Sequence, residues 1–337
     1  MTTLPRLLFT LGDVAGIGPE IITRAWTDRR LHACCRPLVV GDVNWLRQTV
    51  QRLGLSLAVR QLAQPAEATS TLERIDCLQA TVQDLRQVEL GKVQAPAGRA
   101  SFDFLAAAID HCQAGAASGI VTAPLHKESL SLAGFTFPGH TEILAERTGT
   151  KNYAMMLYGE GIGVTHVTLH MALRHIFPLI RPKNILAKIE LTSTIMRQLK
   201  GRSPRIGVCS LNPHASDGGL FGEEENQLIA PAIAQARSRG LDVTGPWPSD
   251  TLFGRARRGE FDGVVAMYHD QGHIAMKLLA GYRAVNITLG LPIVRTSVAH
   301  GTAYDIVTKG IADPTSLLEA AEVAAALARN GSGQVGA

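Results

Sequence analysis

The sequence predicts an α/β protein whose sheet is largely parallel. Short runs rich in β-branched and apolar residues alternate with longer stretches in which apolar residues recur every three or four positions. Such alternation is typical of β-α-β units. The chain has 337 residues, 46% of them hydrophobic, so it can bury a large core, and its length predicts two lobes rather than one.

The short apolar runs give the predicted strands, and the three- and four-residue spacing gives the predicted helices. Eight strands are predicted, at residues 7–11, 37–41, 119–123, 153–158, 163–169, 205–211, 263–268 and 284–289. Five amphipathic helices are predicted, at residues 43–54, 100–112, 185–200, 224–240 and 316–330.

A glycine-containing turn follows the first predicted strand. In GDVAGIGPEI (12–21), Gly16 and Gly18 permit a tight turn, and Pro19 suits the first position of a helix. A helix N-terminus after such a turn favours a phosphate or carboxylate ligand. A plain capping turn is the alternative, because the segment matches neither GxGxxG nor GxxxxGK[ST].

Composition and charge narrow the function class. The net charge of +4 comes from 33 basic and 29 acidic residues that are scattered along the chain, and aromatic residues make up only 5%. This pattern argues against nucleic-acid binding and weakly favours small anionic ligands. The apolar runs are short or interrupted by charge, which predicts no membrane span, and the first residues lack a secretory pattern. We therefore expect a cytoplasmic protein.

The five cysteines are odd in number and lack CxxC spacing, so neither a disulfide framework nor a zinc ribbon is predicted.

Histidines follow three of the predicted strands. His170, His214 and His269 come at or just after the strands that begin at residues 163, 205 and 263. Parallel strands would bring these ends to one edge of the sheet, where open α/β proteins bind ligands. Three neutral imidazoles leave a coordination position open for substrate, so the pattern predicts a catalytic metal site that suits Zn, Co, Fe or Ni better than Mg or Ca. Three unrelated loop histidines are the alternative.

Two further histidines lie near this group. His166 falls on the same strand face as His170, and we expect it to support the site or the core rather than to act as a fourth ligand. In HDQGH (269–273), we expect Gln271 and Gly272 to shape a loop and His273 to lie beside the site without binding metal.

A third group of residues suits a phosphate. Lys277 and Arg295 flank strand-like segments rather than a solvated helix face, and Asn286, His140 and Thr141 add donors. Arginine together with lysine is a common means of holding phosphate. Surface ion pairs are the alternative explanation.

With these residues in view, the sequence resembles the 4-hydroxythreonine-4-phosphate dehydrogenase (PdxA) family over residues 7–320. The motifs that carry the resemblance occur in order: GDVAGIGPEI, TAPLHKESL, FPGHTE, LNPHASDGGLFGEEE, PSDTLF, AMYHDQGHIAMK, VNITLGLPIVRTS and HGTAYDI. The family is distantly similar to isocitrate and isopropylmalate dehydrogenases, whose HGSAPDIAGKGIANP segment is echoed at residues 300–314.

The resemblance implies roles for individual residues. It places metal ligands at His170, His214 and His269, and substrate contacts at His140, Thr141, Lys277, Asn286 and Arg295. It implies NAD or NADP bound without a Rossmann fingerprint; the candidate contacts are Asp13, Gly16, Gly18, His300, Gly301, Thr302 and Asp305. It also implies a divalent metal, zinc in preference to cobalt or magnesium.

The implied architecture is a two-lobed α/β/α subunit with the active site in the interlobe cleft. One lobe is expected to comprise residues 1–130 and 275–337, and the other residues 131–274. The family further implies a homodimer in which the partner chain completes each active site.

The implied reaction is metal-dependent, NAD(P)-linked oxidation of the 3-hydroxyl of a 4-phosphorylated four-carbon acid, followed by decarboxylation. The amino substrate, 4-phosphohydroxy-L-threonine, would give 3-amino-2-oxopropyl phosphate on the route to pyridoxal phosphate. The hydroxy analogues, 4-phospho-D-threonate and 4-phospho-D-erythronate, would give dihydroxyacetone phosphate. Asp250 and Asp270 are the candidate bases.

Departures from the family pattern bear on the substrate. Val14 replaces a proline, MALRHI follows His170 in place of PLRD, and TAPLHKE replaces TGPVHKG, forms that resemble the phosphothreonate and phosphoerythronate subgroup. Terephthalate cis-dihydrodiol dehydrogenases share VTLH and NPHAS and are the alternative, but the retained Asn286 and Arg295 favour a phosphorylated substrate. Alternatives of other classes are a metal-dependent lyase or phosphatase that uses no nicotinamide, and a phospho-ligand binding protein.

Overall fold

The structure is a computed structural model that describes residues 4–69 and 71–331. Its strands are β1 (Arg6–Thr10), β2 (Arg36–Gly41), β3 (Ala58–Leu62), β4 (Arg74–Gln79), β5 (Gly119–Thr122), β6 (Ala154–Gly159), β7 (Ile162–His166), β8 (Ile206–Cys209), β9 (Val243–Trp247), β10 (Gly263–Ala266), β11 (Val285–Leu289) and β12 (Val294–Val298). Its helices are α1 (Gly18–Trp26), α2 (Arg29–Cys34), α3 (Val43–Arg52), α4 (Ala95–Gln113), α5 (Lys127–Leu132), α6 (His140–Arg147), α7 (Pro182–Lys200), α8 (Ala230–Ser238), α9 (Ser249–Arg257), α10 (His269–Ala280) and α11 (Thr315–Gly331).

The described residues form two compact units. The first unit contains the residues up to Lys151 and those from Leu291 onward, and the second contains Asn152–Gly290. The lobe boundaries predicted from the family resemblance stay a prediction. None of the helices in the described ranges is long and apolar enough to cross a membrane.

The sheet of the first unit is parallel throughout. Its strand order is β3-β4-β2-β1-β5-β12. Strands β1, β2 and β5 are almost entirely buried, which explains their unbroken apolar sequence. Leu8, Leu38 and Ile120 of these strands pack against Leu105 and Ile109 of α4.

The sheet of the second unit is mixed, in the order β11-β6-β7-β10-β8-β9. Strands β7, β10, β8 and β9 are parallel neighbours, while β6 pairs antiparallel with β11 and β7. The β6–β7 hairpin turns through Glu160 and Gly161, both at positive φ, as a two-residue hairpin loop requires. The α/β class predicted from the sequence is confirmed, and the sheet is parallel at eight of the ten strand pairings described.

All eight predicted strands are present, with ends that differ by at most three residues. The four strands that the sequence does not predict, β3, β4, β9 and β12, each contain arginine or an internal Gly-Pro, so they lack an uninterrupted β-branched run. Helix α4 begins five residues earlier than predicted, because Pro96 lies in its first turn, where proline is tolerated. Residues 269–273 form the first turns of α10, so the loop expected there is wrong.

A buried carboxylate secures the start of β10. Asp262 accepts hydrogen bonds from both Nη atoms of Arg202, at 2.9 and 2.7 Å, and from the backbone N of Arg205 at 2.8 Å. Burial alone would raise the pKa of Asp262, but these donors outweigh it and hold the pKa below its ordinary value of 3.8.

We expect Asp262→Asn to lower the free energy of unfolding at pH 7 by about 2–3 kcal/mol, because it breaks a charged hydrogen-bond network at a buried site. The difference from wild type should shrink as pH falls through and below 3.8, since a depressed carboxyl pKa stabilises the fold only while the group is ionised. Urea unfolding at pH 7 and pH 3 measures both. Asp84→Asn, at an exposed pair with Arg86, is the control and should leave stability almost unchanged.

Candidate functional site

The three predicted ligand histidines lie beyond adjacent parallel strands of the second unit. Strands β7, β10 and β8 are neighbours in that order, and their carboxyl ends share one edge of the sheet. His170 follows β7, His269 opens α10 directly after β10, and His214 lies on the segment after β8.

Four imidazoles cluster at this edge. The ring centroids of His170 and His269 are 5.5 Å apart, and the His269 ring stacks on that of His273 at 3.7 Å. His273 Nδ1 lies 3.1 Å from Nε2 of the buried His166. Helix α10 can come this close because residue 272 is glycine: a Cβ there would lie 2.3 Å from His166 Nε2.

Burial keeps the two inner rings neutral. Burial first, and then repulsion from the charges that His273 and His269 can carry, lowers the pKa of His166 to about 3. Burial and the neighbouring His269 lower the pKa of His273 to about 4. Both rings therefore support the cluster at pH 7 without adding charge to it.

Asp270 is hydrogen-bonded to a predicted ligand. Its Oδ1 lies 2.7 Å from Nδ1 of His269, and the rest of the carboxylate is exposed. A carboxylate that accepts from Nδ1–H fixes the ring and leaves Nε2 available to a metal. This contact suits Asp270 for orienting His269.

His214 lies on an unusual backbone segment. Residues 214–218 all have positive φ, between 42° and 70°, and four of them are not glycine. L-residues avoid this region at a cost of about 1–2 kcal/mol each, so the segment must be held by its surroundings. The His214 ring is exposed, and its centroid is 6.4 Å from that of Phe221.

The donor chemistry fits a divalent transition metal. His170 and His269 are neighbouring imidazoles, and Asp270 leaves the Nε2 of His269 available. Within residues 4–69 and 71–331, no group of three or more histidine, cysteine or acidic side chains lies close enough to hold an ion. His214 therefore lies at the same sheet edge as His170 and His269, but it does not form a three-residue cluster with them.

Gln271 ties the segments around this edge together. Its Oε1 accepts from the backbone N of Met267 at 2.6 Å, and its Nε2 donates to the carbonyl of Ser210 and the hydroxyl of Ser249, at 2.7 and 2.8 Å. These bonds join the ends of β10 and β8 to the start of α9. The other candidate base, Asp250, is exposed in the first turn of α9.

In the first unit, the predicted phosphate contacts centre on a buried arginine. Arg295 lies on β12 and donates from Nη2 to the hydroxyl of Thr122 at 2.7 Å. Burial lowers its pKa to about 9, against the opposing effect of Glu142, so the guanidinium is charged at pH 7. Burial and the Arg295 charge lower the pKa of His140 well below its ordinary value. His140 and Thr141 open α6, whose N-terminal end favours anions.

The other two predicted phosphate contacts belong to the second unit. Lys277 is exposed on α10, so the prediction that it flanks a strand rather than a solvated helix face is wrong. It forms no ion pair with a described residue. Asn286 is half-buried on β11, and its Oδ1 is buried with no hydrogen-bond partner in the described part of the chain. An orphaned amide oxygen is suited to a ligand that brings a donor.

The predicted cofactor segments pack against each other. Asp13 is fully buried; its Oδ2 accepts from the hydroxyl of Tyr304 at 2.9 Å and its Oδ1 from the backbone N of Ala15 at 2.9 Å. A Cβ at Gly16 would lie 2.7 Å from the carbonyl oxygen of Thr302. The contacts of Asp13 and Gly16 are therefore internal, and they join the turn after β1 to the segment after β12.

The remaining cofactor candidates differ in exposure. Gly18 is buried against Leu11, whereas Gly301 and Asp305 are exposed, and His300 and Thr302 are half-buried. The surface that this segment offers to a ligand comes from residues 300–305 rather than from the glycine turn.

The sequence did not predict the hydrogen-bonding roles of three residues. Gln271, expected to shape a loop, instead bridges the ends of β10 and β8 to α9. Tyr304 donates to the buried Asp13, and Glu225 accepts from the backbone at the end of β8. Each lies inside a motif quoted for the family resemblance. Their positions inside these motifs were the only sequence signal for them. Their hydrogen-bonding roles depend on which strands are neighbours in the sheet, and the strand order cannot be read from the sequence.

An α/β chain with imidazoles at adjacent strand ends and a buried arginine is typical of a ligand-binding enzyme. Comparison with known proteins is more specific. The family described as "Pyridoxal phosphate biosynthetic protein PdxA" matches residues 33–324, most of the chain. The chain belongs to the PdxA family.

Individual relatives agree with this assignment. A curated protein of Cupriavidus necator named D-threonate 4-phosphate dehydrogenase is 46% identical over 326 residues, which is 96% of this chain and 98% of that protein. The solved structure of a 4-hydroxythreonine-4-phosphate dehydrogenase from Klebsiella pneumoniae has a TM-score of 0.88 at 42% identity, with 96% and 99% of the two chains covered. A terephthalate 1,2-cis-dihydrodiol dehydrogenase structure from Burkholderia xenovorans is more distant, with a TM-score of 0.66 at 27% identity, covering 94% and 96% of the chains.

Proposed function

We propose that the chain is a metal-dependent, NAD(P)-linked dehydrogenase that oxidises the 3-hydroxyl of a 4-phosphorylated four-carbon acid and then decarboxylates the product. The observation that carries the proposal is the cluster of imidazoles beyond adjacent parallel strands of the second unit. A buried, charged arginine beside His140 in the first unit supplies an anion-binding group. The names of its relatives support this substrate class, and the distance of the terephthalate enzyme disfavours that alternative.

The groups that the chain does not itself supply are a hydride acceptor, NAD or NADP, and a divalent metal, zinc for preference. A metal would act as a Lewis acid toward the hydroxyl and later toward the ketone. His170, His214 and His269 would hold it, and Asp270 would keep the His269 ring oriented.

The substrate phosphate would be held by Arg295, His140, Thr141, Lys277 and Asn286. Arg295 presents a charged guanidinium that is already desolvated and fixed by Thr122, so binding requires little further ordering of the side chain. Such anchoring orients the reacting carbon without contributing to the chemical step.

The proton of the 3-hydroxyl would pass to Asp250, because the Asp270 carboxylate is already bonded to His269. NAD or NADP, when bound, would supply the acceptor for the hydride of the same carbon, and oxidation there would leave a 3-ketone β to the carboxylate. Carbon dioxide would then depart with its bonding electrons left on the substrate, where a proton would replace it.

The proposed setting is the cytoplasm. All five cysteines are free, and four of them are buried, as is usual where thiols stay reduced.

We further propose a homodimer in which the partner completes the active site. Ile274 and Leu278 are exposed one turn apart on α10, the helix that opens with His269, and Tyr282 is exposed just beyond the end of that helix. Leu173 and Phe221, on the segments after His170 and His214, are also exposed. Exposed apolar groups of this number are typical of a surface that a partner covers.

We expect Leu278→Glu to shift the protein from dimer to monomer at micromolar concentration, because it buries a charge at the proposed interface. Leu278 is 82% exposed in the single chain. Sedimentation velocity measures the change. Val82→Glu, at an apolar residue of the first unit that is 97% exposed, is the control and should leave the dimer intact. A dimer that persists in Leu278→Glu would place the interface elsewhere.

The proposed reaction is tested by nicotinamide absorbance. Purified protein, zinc and NAD or NADP are mixed in turn with 4-phospho-D-threonate, 4-phospho-D-erythronate, 4-phosphohydroxy-L-threonine, unphosphorylated D-threonate and a terephthalate cis-dihydrodiol. We expect NAD or NADP to be reduced with at least one phosphorylated acid and not with D-threonate. Reduction of the nicotinamide only with the dihydrodiol, or with no substrate at all, would refute the proposal.

A further inference from the structure

The segment that carries His214 is held in a conformation its own sequence does not favour. His214, Ala215, Ser216 and Asp217 have φ of 54°, 54°, 68° and 42°, and Gly218 follows at 70°. Left-handed residues normally occur singly, because each places Cβ against the following carbonyl. A run of five persists only where neighbouring groups fix it.

The group that fixes it is a buried carboxylate. Glu225 is 2% exposed, and its Oε1 accepts hydrogen bonds from the backbone N of Leu211 and of Asn212, both at 2.7 Å. Its Oε2 accepts from Nδ2 of Asn212 at 3.0 Å and from the hydroxyl of Ser216. One carboxylate therefore satisfies donors at the end of β8 and in the middle of the left-handed run.

We propose that Glu225 is a positioning residue for His214: its carboxylate anchors Leu211 and Asn212 before the left-handed run and Ser216 within it, and so sets where the imidazole lies at the sheet edge. The inference rests on the proposed function in one respect, that His214 takes part in metal binding. The hold that Glu225 has on the segment is independent of that role.

The chemistry requires a carboxylate at this position. Each of the four bonds is donated to Glu225, and an ionised carboxylate is the side chain that accepts at both oxygens. A glutamine would turn an N–H toward two of these donors and leave them unsatisfied in a buried place. The segment would then relax toward ordinary backbone conformations and carry His214 with it.

The experiment compares Glu225→Gln with Glu223→Gln, which makes the same charge change at an exposed position two residues away. Hydrogen exchange of the metal-free protein reports on the segment, and competition with a chromogenic chelator measures zinc affinity. For Glu225→Gln we expect faster exchange at residues 211–218 and zinc affinity lowered by about 10–100-fold, the usual effect of losing a group that supports a ligand. Glu223→Gln should match wild type in both.

Steady-state kinetics also distinguish a positioning role of Glu225 from a general loss of structure. In Glu225→Gln we expect kcat to fall while the KM for nicotinamide is unchanged, since the first-unit segments are untouched. If Glu225→Gln does not fold, Ser216→Ala replaces it and removes one of the four bonds, with a smaller loss of zinc affinity and faster exchange over the same residues. Wild-type exchange at residues 211–218 in the folded variant would overturn the inference.

A wrong metal-ligand assignment for His214 gives a different result from a wrong positioning role for Glu225. If His214→Ala binds zinc as tightly as wild type, the ligand assignment is wrong, whatever Glu225 does. If His214→Ala loses zinc while Glu225→Gln retains both zinc affinity and slow exchange, the ligand assignment stands and the positioning role is refuted.

Discussion

Replacing His269 with alanine is expected to lower kcat by about a thousandfold and to reduce bound zinc sharply, because a Lewis acid contributes several kcal/mol to the transition state. His269 lies at the centre of the imidazole cluster: it stacks on His273, neighbours His170 and is bonded to Asp270. Metal analysis of the purified variant, together with steady-state kinetics at saturating zinc, measures both effects.

The matched control is His175→Ala. His175 is an exposed histidine of the same unit, and its Nε2 accepts a hydrogen bond from Nε of Arg174 at 3.2 Å. It should retain bound zinc and activity. Full turnover in metal-stripped His269→Ala would contradict the metal role of this strand edge.

Replacing Arg295 with methionine is expected to lower kcat/KM for the phosphorylated substrate by about 100–1,000-fold, mostly through KM, because a buried hydrogen-bonded charge partner is worth about 2–5 kcal/mol. The same variant should be as stable as wild type or up to about 4 kcal/mol more stable, since a buried guanidinium is costly and methionine fills much of its volume. Burial lowers the pKa of Arg295 to about 9, which reflects that cost.

Two measurements test this opposition of stability and activity. Urea unfolding gives the free energy of unfolding, and zinc content shows that the second unit is intact. Arg86→Met, at an exposed pair with Asp84, should change neither stability nor kinetics appreciably. A variant that loses stability but keeps its KM would show that Arg295 is a structural residue.

Strands that are buried on both faces could be predicted from the sequence. Val39 and Val40 in β2, and Val264 and Val265 in β10, are completely buried, so their sequences are continuous apolar runs. Strand β12 lacks this pattern because its buried residues include Arg295, Thr296 and Ser297. Arg295 donates a hydrogen bond to the hydroxyl of Thr122, and Thr296 donates one to the carbonyl of Ala320.

The grouping of histidines could be predicted only in part. The rule that parallel strands end at one edge correctly places His170, His214 and His269 beyond the adjacent strands β7, β8 and β10. The rule says nothing of backbone conformation, so the left-handed run at His214 had no sequence signal beyond its glycines. The roles of these residues, and those of the phosphate and cofactor contacts, stay predictions.

Glu225 shows why a residue that holds a candidate metal ligand in place is harder to predict from the sequence than the ligand itself. It is one of three consecutive glutamates, and composition alone does not distinguish it from Glu223, which is exposed. Burial of Glu225 beneath the end of β8 is a tertiary property, and it gives this carboxylate four donors.

The most direct test of the proposed oxidative decarboxylation is the ratio of carbon dioxide to reduced nicotinamide among its products. The protein, with zinc and NAD or NADP, is given 4-phospho-D-threonate, 4-phospho-D-erythronate or 4-phosphohydroxy-L-threonine labelled at the carboxyl carbon. Labelled carbon dioxide and reduced nicotinamide are then measured together. We expect equal amounts of the two, with both lost in His269→Ala. Carbon dioxide or phosphate released without reduced nicotinamide would identify a lyase or a phosphatase instead.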